Sequence, residues 1–270
     1  MAESTETRKE RRATARAERD RAAAARARQR QRLWILGGVL ALAAVIVVII
    51  AIASGGSDNK TPAKKAGEIL PGQVETNARF AGIPQSGITV GFPDAPLTLV
   101  EFADLQCPFC RAYTTDVMPT IVNKYVRTHK LRMEFRNVAF IGNDSLTAAQ
   151  MAAAVGRQNK LWQFVDLFYY NQGEENSGYV TPAFLTKIGK AVRGLDVQRA
   201  LRDSSLPSIQ RQLTAAQTAW TVAGFNGTPS FLLGPTNGKK TALLGPNESP
   251  TVPLMSQRID AALHSAGGSS

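Results

Sequence analysis

Residues 100–110 read VEFADLQCPFC, an apolar run ending in two cysteines two residues apart. Leu97–Phe102 (LTLVEF) has the near-continuous apolar character of a buried strand. From Cys107 to about Lys130 the pattern is helical, with Pro119 inside it as an expected kink. Cys107-Pro108-Phe109-Cys110 therefore sits where a strand hands over to a helix. Two intervening residues let the sulfurs meet at the first helical turn. There, unpaired N–H groups and the positive end of the helix dipole stabilise a thiolate at Cys107. Thiolate is the attacking species in disulfide exchange, so Cys107 reads as nucleophile and Cys110, one turn deeper, as the resolving thiol. Pro108 suits the first helical position because its missing N–H would be unpaired there anyway.

Cys107 and Cys110 are the only cysteines and His129 and His264 the only histidines in 270 residues. A multi-disulfide scaffold and a four-cysteine zinc site within one chain are excluded, and the separated histidines do not complete a mixed finger. A static disulfide and half of a metal site shared between two chains are the alternatives to redox chemistry. A short-loop disulfide restrains the unfolded chain little, which makes it a poor staple. No P-loop and no GxGxxG occurs, and no cofactor is expected.

Working outward, Ile88–Val90 and Leu131–Phe135 read as strands. Helical patterns follow over Ser145–Asn159, Leu161–Asn171, Pro182–Val192 and Ser208–Ala223. In the last, Ile209, Leu213, Ala216, Trp220 and Ala223 fall on one face and Gly224 suits the stop. Ser230–Leu233 and Lys239–Leu244 flank Pro235-Thr236-Asn237-Gly238, a hairpin signal. A final helix is expected over about Thr251–Leu263. This order predicts an α/β sheet with a helical insert at about 140–223. Gly227-Thr228-Pro229-Ser230 enters the strand FLL, where the X-Pro bond is either cis or an ordinary loop proline.

The charge is uneven. Residues 1–32 hold eleven Lys/Arg against five Asp/Glu, Leu33–Ala53 holds no charge, and the whole chain carries +11. A 21-residue helix over LWILGGVLALAAVIVVIIAIA rises about 30 Å, the thickness of a bilayer core. A secretory signal ending at Ala51-Ile52-Ala53 is the alternative, but its apolar region would be shorter. An uncleaved single-pass anchor is expected. Residues 1–32 then form a cytoplasmic tail, residues 54–67 a flexible tether, and residues 68–266 a domain outside the cytoplasm, facing a compartment that permits disulfides. The basic tail reads as a topology and lipid-headgroup signal rather than a nucleic-acid site.

VEFADLQCPFC, SLTAAQMAAAVGRQNKLWQFVDLFYYNQ, GLDVQRAL and GFNGTPSFLL, in that order, resemble the DsbA-like branch of the thioredoxin superfamily, and within it most of all the membrane-anchored bacterial thiol–disulfide oxidoreductases. The resemblance spans about Ile88 to Leu263 and implies a thioredoxin fold interrupted by a helical domain. It implies a protein thiol–disulfide oxidoreductase forming disulfides in extracytoplasmic proteins. Its substrates would be protein thiols, and its reoxidase a membrane partner of the DsbB or vitamin K epoxide reductase type. Cys107 matches the attacking and Cys110 the resolving cysteine. Pro229 matches the family's cis-proline, which sets Thr228 beside the sulfurs, where its backbone can pair with an extended substrate. Pro108 and Phe109 flank the same contact. A reductase or isomerase, and a non-catalytic peptide-binding module, are the alternative readings.

Two further residues bear on chemistry. Glu101 lies six residues before Cys107 in an otherwise apolar strand. It either points to solvent at the strand end or, as the resemblance implies, sits beneath the cysteines and moves protons for Cys110. Asp104 is expected to be a solvated loop residue. Phe109 stands where many relatives carry His, and a phenyl ring cannot stabilise a thiolate as a cationic ring does. A less acidic Cys107 and a weaker oxidant than the strongest members are expected. His129 reads as a solvated helix terminus, and Trp162, Phe164, Phe168 and Tyr169 as core.

Overall fold

A computed structural model describes residues 69–267. The basic tail, the apolar stretch Leu33–Ala53 and the tether at 54–67 lie outside the described residues. Among the described residues no helix is long and apolar enough to cross a membrane.

A short helix α1 (Gln73–Phe80) and two two-residue strands, β1 (Gln85–Ser86) and β2 (Thr89–Val90), precede the central strand β3 (Leu97–Ala103). Helix α2 covers residues 108–126 and leads to β4 (Leu131–Asn137). Five helices follow: α3 (Asn143–Gly156), α4 (Leu161–Tyr170), α5 (Pro182–Ala191), α6 (Val197–Asp203) and α7 (Pro207–Val222). Strands β5 (Ser230–Pro235) and β6 (Thr241–Ala242) and helix α8 (Val252–Gly267) complete the order. The strands form one sheet in the order β1-β2-β4-β3-β5-β6. β3 is central, parallel to β4 and antiparallel to β5.

Every residue of β3 is buried, as its apolar run predicts for a strand covered on both faces. The two faces carry different loads. Leu97, Leu99 and Ala103 join the large core beneath α2 and α4. Val100 and Phe102 join Val138 in a second cluster, against which Trp220 and Phe225 pack. Glu101 shares the first face by the alternation of a strand. Its register partners are Phe135 on β4 and Phe231 on β5.

Pro119 does not break α2. Two π-type segments, Tyr113–Val117 and Val122–Val126, alternate with α-helical turns. The Met118 N–H bonds back to the Tyr113 carbonyl, five residues earlier, which makes room for a ring that would otherwise crowd the preceding turn. The kink expected at Pro119 is thus taken up by a widened turn.

Several expectations are corrected. α1 and α6 have no counterpart among the helices expected from the sequence. α6 has a signal that explains it, since Asp196 caps its N-terminus by accepting from the Arg199 N–H. The expected strand Lys239–Leu244 shrinks to Thr241–Ala242 at the sheet edge. On the amphipathic face of α7, Ile209, Leu213 and Ala216 are buried, whereas Trp220 and Ala223 are half-buried at the helix end beside the loop that carries Gly227.

Candidate active site

The site begins where β3 stops. Asp104, expected to be solvated, is fully buried. Its Oδ1 accepts from the Gln106 N–H at 2.9 Å, and its Oδ2 accepts from the Phe140 and Ile141 N–H groups at 3.0 and 3.2 Å. Its carbonyl accepts from the Cys107 N–H and from the Tyr169 hydroxyl. The correction has a physical reason: the turn after β3 and the loop after β4 together aim three N–H groups at this position, and a carboxylate is the side chain that can take them all. The Asp-x-Gln spacing, a side chain bonding the backbone two residues on, was the available signal.

Neighbouring residues grip the same loop. Gln106 is buried, donating to Ser145 Oγ at 2.9 Å and accepting from the Asn176 N–H at 2.7 Å. Gln172 Nε2 donates to the carbonyls of Leu105 and Cys107. The helical insert therefore clasps the residues leading into the motif. Nothing in the local sequence signals these long-range partners.

Cys107 caps the N-terminus of α2 in an extended conformation, with Pro108 in the first turn. Its side chain makes no capping hydrogen bond, and the first-turn N–H groups of Phe109 and Cys110, which lack intrahelical partners, favour its thiolate. Both cysteines are free thiols; Cys107 is 5% exposed and Cys110 0%. The Cys107 thiol is lowered to about 6. The largest cause is the hydrogen bond from Cys110, with Thr228 and the N–H groups of Cys110 and Phe109 adding to it against the opposing effect of burial. Cys110 moves the other way. Burial first, then the neighbouring Cys107, push its thiol well above the ordinary value. One sulfur is thus readily ionised and the other holds its proton, without an imidazole in the motif.

The Thr228–Pro229 peptide bond is cis. The Cys107 thiol donates to the Thr228 carbonyl at 3.3 Å, across 121 residues of sequence. Trp220 Nε1 and Ser230 Oγ both donate to the Gly227 carbonyl, which fixes the loop just before the proline. Beside it runs a groove of about 430 Å³, lined by Phe109, Phe225, Thr228, Pro229, Leu244 and Pro246 among others. Phe109 is 73% exposed, a large apolar side chain standing in solvent at the mouth of the motif.

Glu101 does not point to solvent. It is 1% exposed and neither carboxyl oxygen has a hydrogen-bond partner. Burial, with the Asp166 charge second, raises its carboxyl to about 8. The same carboxyl contributes to the upward shifts of Cys110, Tyr113 and Tyr169, which sets it among these groups beneath the motif. The structure thus gathers Cys107, Cys110, Thr228, Pro229 and Glu101 into one region with Phe109 at its rim.

Residues expected elsewhere are elsewhere. His129 ends the α2 region, paired with Asp94 at 3.0 Å and stacked on Phe92. Trp162, Phe164, Phe168 and Tyr169 are buried in the core. Among the described residues no cluster of side chains suits a metal ion.

A family model described as thioredoxin matches residues 84–249. A probable disulfide bond formation protein D of Bacillus cereus is 31% identical over 57% of this chain and 72% of its own length. A protein of the same description from Bacillus anthracis is 29% identical over 66% of this chain and 76% of its own length. Among solved structures, oxidised BdbD of Bacillus subtilis superposes with a TM-score of 0.58 at 22% identity, over 67% of this chain and 96% of that one. The DsbA of Chlamydia trachomatis superposes with a TM-score of 0.56 at 18% identity, over 77% of this chain and 98% of that one.

Proposed function

This chain belongs to the thioredoxin family, as a thiol–disulfide oxidoreductase of DsbA type, and we propose that it forms disulfides in proteins outside the cytoplasm through Cys107 and Cys110. The observation that carries the reading is the asymmetric thiol pair at the start of α2, one sulfur readily ionised beside the Thr228 carbonyl and the other buried behind it.

In the oxidised enzyme a substrate thiolate attacks Cys107 Sγ. The Cys107–Cys110 bond breaks, and Cys110 leaves as a thiolate that takes a proton. A second substrate thiolate then attacks the substrate sulfur of the mixed disulfide and expels the Cys107 thiolate. Two electrons have passed from substrate to enzyme. An acidic Cys107 suits this last step because a low-pKa thiol leaves faster. Pro229 and the backbone of Thr228 hold the substrate as an extended strand, while Pro108 and Phe109 border it. Glu101, held neutral below about 8, is able to donate the proton Cys110 requires and accept it on return.

Leu33–Ala53 anchors this domain on the outer side of the cell membrane, and a membrane reoxidase of the DsbB or vitamin K epoxide reductase type returns the pair to the disulfide. Apolarity of that stretch and the basic tail before it support this part of the reading.

The test is the Cys110→Ser variant of the full chain in cells. Mixed disulfides that disappear on reduction, and that a further Cys107→Ser change abolishes, are expected on non-reducing gels. Their absence refutes the redox reading in favour of a peptide-binding module. A measured reduction potential below that of the compartment would favour the reductase alternative.

A further inference from the structure

Beneath Glu101 lies a charged pair that the exchange reaction does not require. Asp166 on α4 is fully buried, and both its carboxyl oxygens are engaged from α1. Thr76 Oγ1 donates to Oδ2 at 2.6 Å and Arg79 Nη1 donates to Oδ1. Arg79 is held in turn by Nη2 donating to the Tyr170 hydroxyl at 3.0 Å, with its guanidinium over that ring.

The direction of this carboxylate follows from its own helix. Trp162, Asp166 and Tyr169 lie at positions i, i+4 and i+7, one face of α4. Trp162 meets Phe135 edge-on at 5.9 Å, and Phe135 is the β4 partner of Glu101. Tyr169 bonds the Asp104 carbonyl, three residues beyond Glu101 on the same chain segment. Asp166 lies between these two contacts on the same helix face, and its charge acts on Glu101. The other titratable groups that interact with Glu101 are Cys110 and Tyr113 from α2 and Tyr169 from α4, and Tyr169 in turn feels the N-cap Cys107 and Asp104 just past the end of β3. β4 and β5 oppose it with Phe135 and Phe231, which carry no charge.

We propose that Asp166, fixed by Thr76 and Arg79, is a positioning residue that acts electrostatically through Glu101 on the cysteine pair. Burial raises the Asp166 carboxyl to about 6 against the pull of Arg79 and Thr76, so above that value its negative charge opposes a second one on Glu101, as for any two close buried carboxylates. Glu101 therefore keeps its proton into the range where Cys110 needs one. The inference rests on the reading of Glu101 as the proton carrier. It adds that the carrier is tuned by a charge pair joining α1 to the insert.

The step that exposes it is resolution of a mixed disulfide. Reduced full-length protein treated with glutathione disulfide forms Cys107–S–S–glutathione and one free glutathione. The Cys110 thiol then gives its proton to the Glu101 carboxylate and its sulfur attacks Cys107 Sγ. The bond to glutathione breaks, glutathione thiolate leaves and is protonated, and the protein pair is oxidised by two electrons.

Release of glutathione is followed by stopped flow from pH 5 to 10. In the wild type the rate rises with a midpoint at about 8. Asp166→Asn is expected to move the midpoint down by about one pH unit or more, since the negative charge that opposes ionisation of Glu101 is removed. At pH 7 that speeds release by about fivefold, the gain in ionised Glu101 for a one-unit shift. Arg79→Lys, which keeps the charge, leaves the midpoint near the wild-type value. If Asp166→Asn fails to fold, Arg79→Met with Asp166→Leu replaces the pair by apolar groups and is expected to shift the midpoint in the same direction. A flat profile in Glu101→Gln with an unmoved midpoint in the folded Asp166 variants overturns the tuning and leaves Glu101 as carrier. A wild-type rise that persists in Glu101→Gln overturns the carrier itself.

Discussion

Replacing Glu101 by Gln should make the protein more stable, and increasingly so as the pH rises. The carboxyl is buried without a hydrogen-bond partner, and its pKa climbs from 4.5 to about 8 on folding. The folded state therefore holds a proton that the unfolded chain has already released. The stability of the neutral form is fully present below pH 4.5 and is lost as the pH rises through the folded value, about 8. The interval spans about 3.5 units, and each is worth about 1.4 kcal/mol, so the loss approaches about 5 kcal/mol. Relaxation and water entry around the anion lower that ceiling. Gln has nearly the same shape and never ionises. The difference between the two proteins should be small at pH 4.5 and grow to several kcal/mol by pH 9. Urea unfolding of the reduced full chain by tryptophan fluorescence reads it, because Trp162 packs on Phe135, the strand partner of Glu101. The titration of Cys107 occurs in both proteins and largely cancels in the difference. Parallel stability curves across that range would refute the burial argument, and with it the reason for assigning Glu101 a proton-carrying role.

Other outcomes follow from the same geometry. Alkylation of Cys107 by iodoacetamide should rise with pH around a midpoint of about 6 and level off by pH 8; a midpoint near the ordinary 9.0 would contradict the thiolate environment. Phe109→His places a cationic ring beside the sulfur, so the Cys107 midpoint should fall and the reduction potential rise by about 30 mV for each unit lost. An unchanged potential in that variant would show that the exposed ring does not reach the thiolate. Asp104→Ala strands three N–H groups and should cost about 2–4 kcal/mol in urea unfolding. A loss below about 1 kcal/mol would mean water satisfies the loop instead.

The parts of this protein that were legible in the sequence are those decided by local rules. LTLVEF reads as a doubly covered strand because apolar residues fall on both of its faces, Leu97 and Leu99 on one and Val100 and Phe102 on the other, and CPFC after it carries its chemistry in its spacing. The hairpin around Asn237-Gly238 and the amphipathic face of Ile209, Leu213 and Ala216 were readable for the same reason, since turn chemistry and helical period act over a few residues. Three-dimensional contacts decided the rest. The fate of a carboxyl depends on which groups surround it, so the same side-chain type became a three-fold backbone acceptor at Asp104, an unpaired acid at Glu101 and an ion-pair partner at Asp166. Sequence alone established two thiols poised at a helix start and a fold able to hold them. The resemblance implied Thr228 beside the sulfurs, but it is the tertiary structure that closes that contact across 121 residues and sets three carboxyls in distinct surroundings. Electrostatic energies depend on distance and dielectric, and neither is a property of the linear chain.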